Sequence, residues 1–229
     1  MESDEEKIIH RGIEIKIEQD TDPESPRHWD NLGVMVCFHR RYDLGDKADG
    51  AQGHGYTSSQ FSSWAELAAQ IERDHRPVAI APLYLYDHSG LRIKVGSFQG
   101  LLPQGHAEFD SGQVGFIFVS REAALKEYSA KKITKALIEK VTKVLDAEVK
   151  TYDQYLSGDV WGYVIEGVVQ KTVMSDGKGG HVERESIGDS CWGFYGYDYC
   201  LAEARSAAEN YADRAEAEVQ AENNQGAGI

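Results

Sequence analysis

The stretch IGDSCWGFYGYDYC, Ile187 to Cys200, sets a thiol, Cys191, before Trp192 and two glycines, Gly193 and Gly196. A cysteine attacks as the thiolate, so a nucleophilic Cys191 needs a base within hydrogen-bond reach and a positive local field. The histidines on offer, His39, His54, His88, His106 and His181, all precede it, and none follows. Spacing does not choose among them; His39 and His181 are carried forward beside Cys191 as candidate catalytic residues. The neighbours Asp189 and Asp198 oppose thiolate formation. The competing reading is a strand or corner where the glycines allow tight chain reversal and the aromatic rings pack.

Ser190, Cys191, Trp192, Gly193 and Phe194 resemble the active-site corner of papain-like cysteine proteases. In that family the Cys-Trp pair stands near the mature N-terminus at a helix start, with a His and an Asn downstream. The order here departs from that pattern, so the resemblance implies a hydrolase only in a permuted arrangement, with Cys191 or Cys37 as nucleophile.

Cys37 and His39 alternate in an apolar run and would share one strand face, as a Cys-His pair, as two metal ligands, or as a core thiol beside a surface imidazole. His54 and His106 sit in Gly-flanked loops whose spacing matches no metal motif. Asp43, Asp46 and Asp49 recur at every third residue without the Gly and terminal Glu of a calcium loop. No C-x-x-C pair, phosphate loop, G-x-S-x-G elbow, H-E-x-x-H helix or dinucleotide fingerprint is present. Neither a metal nor a cofactor is expected, and the three cysteines, an odd number, are expected to be reduced.

A formal net charge of -14 repels phosphate and disfavours direct nucleic-acid binding. The basic helix with Lys131, Lys132, Lys135, Lys140 and Lys143 is interleaved with Glu139, Asp146 and Glu148 and reads as a solvated face. Acidic residues concentrate in the first thirty positions and the last third. The loop around Asp43, Asp46 and Asp49 and the final helix with Glu203, Glu209 and Glu216 are the candidate binding residues for a cationic partner.

Elements must position these groups. GIEIKIEQ alternates Ile13, Ile15 and Ile17 with charge, a half-buried strand, and LGVMVCFHRR reads as an interior strand. The long polar loop YDLGDKADGAQGHGYTSSQ is the first candidate surface, because long irregular loops in compact domains are often functional. Ser63 and Glu66 form a capping box before a helix that Pro77 ends. DHSG turns between two strands, and QVGFIFVS is another. A short helix follows Ser120, and the longest helix of the chain is expected from about Ser129 to Gly158. A long hairpin around SDGKGG and an Ala/Glu-rich helix close the chain. The pattern predicts an α+β fold, with a mixed or mostly antiparallel sheet and about three major helices, one of them long. The expected organisation is a flexible acidic N-terminus over 1–12, one α+β domain over 13–222 and a flexible tail over 223–229.

The blocks WDNLGVMVCFHRRYDLGD, LYLYDHSG, FDSGQVGFIFVSREA, EVKTYDQYLSGDVWGYVIE and DSCWGFYG resemble an uncharacterised family of bacteriophage and prophage proteins, over roughly residues 29–196. That resemblance implies a viral gene product in the host cytoplasm and, with the acidity, an inhibitor of a host nuclease, defence complex or other nucleic-acid-handling protein that mimics phosphate. The chain holds no apolar run of about 18 residues, so no membrane partner is expected, and its acidic start is unlike a signal peptide. The alternatives are the Cys/His hydrolase and a small phage structural or scaffolding protein.

Overall fold

The computed structural model describes residues 8–49, 53–102, 106–173 and 181–226. Its strands are β1 (Ile8–His10), β2 (Ile13–Gln19), β3 (Val34–Cys37), β4 (Ala79–Asp87), β5 (Leu91–Val95), β6 (Ser111–Val119), β7 (Val160–Val173) and β8 (His181–Tyr195). Its helices are α1 (Trp64–His75), α2 (His106–Phe109), α3 (Arg121–Glu127), α4 (Lys135–Ser157) and α5 (Tyr197–Gly226). The strands form two antiparallel sheets of four, so the fold is α+β as the sequence predicts.

Where the sequence implied one domain over 13–222, the chain divides into two compact units: Met1–Pro23 with Gly158–Ile229, and Glu24–Ser157. The physical reason is that each sheet has its own apolar core. β2 pairs with β7, so the first unit closes around a partner that lies beyond the whole second unit in sequence.

In the contiguous unit the sheet order is β3-β6-β4-β5. Alternation sends Met35, Ile117 and Val119 to one face, where they meet Leu137, Val141, Leu145 and Val149, one α4 residue per turn. Val36, Phe116 and Phe118 point the other way, onto Leu67 and Ile71 of α1. Covered on both faces, β3 and β6 therefore read as continuous apolar runs. Ser63 caps α1 by accepting the Glu66 N–H at 3.2 Å; the Glu66 carboxylate reaches back to the N–H and hydroxyl of Ser62, one residue earlier than the capping box predicts. Ser120 caps α3 in the same way, accepting the Ala123 N–H at 3.0 Å. α4 starts at Lys135 and not near Ser129, because Ser129 is left-handed at φ 47° and Thr134 supplies the cap, accepting the Leu137 N–H.

In the split unit the order is β1-β2-β7-β8. Ile13, Ile15, Tyr163 and Ile165 pack against Cys200, Ala204, Ala208 and Ala212, a stripe of small residues that lets α5 lie close to the sheet. At 30 residues against 23, α5 and not α4 is the longest helix described, since it starts already at Tyr197 and its Ala- and Glu-rich sequence carries it on to Gly226. Of the expected flexible ends, residues 8–10 form β1, turned onto β2 by Arg11–Gly12, and helix continues through 223–226, while 1–7 and 227–229 lie outside the described residues. Among the described residues no helix is long and apolar enough to cross a membrane.

Candidate functional site

Cys191 does not stand at a strand-to-helix corner. It lies inside β8 opposite Tyr163, six residues before α5 begins at Tyr197. The register shifts beside it, with Trp192 and Gly193 set against Gly162, and Gly193 takes φ 84°. The Trp192 indole lies over Gly162, where a Cβ would overlap the ring, and stays 46 % exposed. Gly and Trp are thus explained by strand geometry.

Among the described residues no histidine is hydrogen-bonded to Cys191. His10, in the same unit, is on β1, the opposite sheet edge, three strand spacings across and four residues along from Cys191, and donates from Nε2 to Glu209. His39, His54 and His88 belong to the contiguous unit. The side chains of His106 and His181 lie outside the described residues.

The second candidate thiol is held inert. β3 ends at Cys37, so His39 lies beyond the strand and stacks on Tyr42, its Nδ1 accepting the Arg41 N–H. Burial, and next the Arg41 charge, lower the His39 pKa. Burial first and then the Asp46 charge push the Cys37 thiol up to about 12, so it carries no thiolate at neutral pH.

The long loop after β3 is built and not slack. Gly45 pairs with Val36 at φ 73°; a Cβ there would come 2.6 Å from the Met35 carbonyl oxygen, so glycine is required. Its N–H donates to Tyr152 Oη at 3.0 Å. Asp46 donates its N–H to the Met35 carbonyl at 2.8 Å and accepts the Met35 N–H at 2.7 Å. Arg27, with 3 % of its side chain exposed, grips both oxygens of Asp46 at 2.7 and 2.9 Å, Glu148 at 3.1 Å and the Gly33 carbonyl at 2.6 Å. Glu148 in turn accepts the N–H groups of Leu32 and Gly33. This buried fork is the feature the sequence did not disclose, because its members are dispersed over positions 27, 46 and 148.

His54 pins the far side of the loop. The Tyr56 N–H donates to Nδ1 at 3.1 Å, which places the ring proton on Nε2, 3.2 Å from the Asp46 carbonyl oxygen it donates to. Both nitrogens are occupied, and burial lowers the pKa. Tyr56 donates to Asp74 at 2.9 Å, while burial and that carboxylate raise its own pKa.

The loop encloses a cleft of about 380 Å³. Phe38 and the buried Leu44 and Tyr56 line it, with exposed Asp43, Lys47 and Asp49. Of the three expected loop carboxylates, Asp46 is engaged internally, and Asp43 and Asp49 face solvent.

The α5 carboxylates are likewise divided. Arg11, left-handed at φ 48° in the β1–β2 turn, reaches Glu209, Asp213 and Glu216, and His10 adds a second bond to Glu209. A side-chain residue in that conformation costs about 1–2 kcal/mol. The hydrogen bonds of His10 and then Arg11 hold the Glu209 carboxyl below its ordinary range. Glu203 is exposed. Among the described residues no cluster of His, Cys, Asp or Glu is arranged to hold a metal ion.

No family model, curated protein or solved structure matches the chain. The site is therefore read from its own chemistry and from how its charge is distributed between units. The split unit has 21 Asp and Glu against 8 Lys and Arg, a formal -13; the contiguous unit has 17 against 16, a formal -1, together the -14 of the chain. By this division the acidity that the sequence displays at its two ends falls in one of the two units.

Proposed function

We propose that this is a non-catalytic binding protein that engages a cationic partner through its acidic unit. The observation that carries the reading is the concentration of almost the whole net charge, -13 of -14, in one unit. Such a surface steers a basic groove toward it and competes with phosphate for that groove. Together with the resemblance to phage proteins, this reading takes the partner to be a host nucleic-acid-handling or defence protein and the setting to be the host cytoplasm.

The hydrolase alternative has less behind it: burial holds Cys37 as the thiol, His39 stacks on Tyr42 in the other unit, and no histidine is hydrogen-bonded to Cys191 among the described residues, which do not include the His181 side chain.

The test is capture of the tagged protein's partner from host lysate, followed by purified binding across a salt series. Reversing Glu209 or Glu216 would also break the Arg11 contacts, so the discriminating variant is Asp198→Lys with Glu203→Lys. A purified nucleic-acid-handling partner whose binding weakens steeply with salt, and further with this variant, supports the reading. Binding indifferent to both overturns it.

A further inference from the structure

The cleft of the near-neutral unit is a separate site with its own chemistry. Its aromatic and aliphatic surfaces are Phe38, Leu44 and Tyr56, and its charged side chains are Asp43, Asp46, Asp49 and Lys47, a formal -2. Including Arg27 and Glu148 behind Asp46 leaves -2. We propose that this cleft takes an organic cation on an apolar stem: the ammonium or guanidinium end of a Lys or Arg side chain, or of a free polyamine.

Three observations carry this. The space, about 380 Å³, falls at the small end of the range for ligand pockets and accommodates a long side chain, while the carboxylates of its rim oppose the phosphates of a nucleotide. Apolar wall and carboxylate rim together suit an amphipathic chain, whose methylenes would lie against the part of Phe38 that stays exposed while its head reaches the acids. The walls are fixed in advance by the Arg27 fork and the His54 bonds, so little ordering cost falls on binding.

This inference does not depend on the acidic unit, and the experiment separates the two. The full chain at physiological salt is titrated with spermidine, with acetyl-Ala-Arg-Ala-amide and acetyl-Ala-Lys-Ala-amide, and with the neutral acetyl-Ala-Met-Ala-amide, reading amide shifts residue by residue. Saturable shifts confined to residues 37–38 and the described part of 43–57, absent with the Met peptide, are expected. Asp43→Asn with Asp49→Asn should weaken binding by about tenfold or more. Asp198→Lys with Glu203→Lys should leave it unchanged. Response to the peptides alone assigns the source to a partner's side chain, and response to spermidine alone to a free polyamine. Shifts only in the acidic unit, an equal response to the Met peptide, or no loss in a folded Asn variant would overturn the proposal.

Discussion

The three cysteines share one side chain and differ in their surroundings. Cys191 is exposed on β8, whereas burial pushes Cys37 up to about 12 and Cys200 to about 11. Native protein treated with iodoacetamide at neutral pH should be alkylated at Cys191 alone, with Cys37 and Cys200 labelled after unfolding. Peptide mapping by mass spectrometry checks this, and rapid native labelling of Cys37 would count against its placement. The same experiment bears on catalysis, since an activated Cys191 would react far faster than a free cysteine.

At the scale of elements, single residues hold loops and helices in place. Arg27→Met removes the guanidinium that bridges Asp46 and Glu148 and leaves two carboxylates of low exposure without it. Breaking a buried pair in this way costs about 3–5 kcal/mol, so the urea midpoint should fall and the amides of the 43–57 loop should lose their native dispersion. Arg11 gives a pH signature in the other unit. The folded Glu209 pKa lies below its ordinary value, so its contribution to stability is present above the usual carboxylate range and is lost as pH falls through the folded value. The melting-temperature gap between the wild-type chain and Arg11→Ala should therefore be open at neutral pH and close in acid; a gap that is constant with pH would refute the role of the carboxylates.

At the scale of the whole molecule, three apolar clusters, two on the faces of one sheet and one on the other sheet, imply two folding units. The Glu24–Ser157 fragment contains both the α4 and the α1 sides of its sheet and interrupts neither. It should fold alone, giving dispersed amide spectra and a cooperative melt, and at -1 it should elute early from an anion exchanger on which the full chain is retained. An unfolded fragment would show that this unit depends on the other.

Local features were legible in the sequence for a local reason. The period-2 alternation of Ile13, Ile15 and Ile17, the helical stripe of Leu137, Val141 and Leu145, and the caps at Ser63 and Ser120 follow from backbone sterics and from which face is buried. The loop around Asp43–Asp49 was also visible as a surface, from its length and polarity alone. What holds that loop was not, because Arg27, Asp46 and Glu148 meet only after distant segments pack. The division into units was equally hidden, since the partner of β2 lies past residue 157. Cys191 carries the same lesson: its neighbours fit a catalytic corner, and pairing with β7 over Gly162 makes it part of a strand. Neighbouring residues fix period and caps, whereas burial between distant segments decides register, partners and which charges are neutralised.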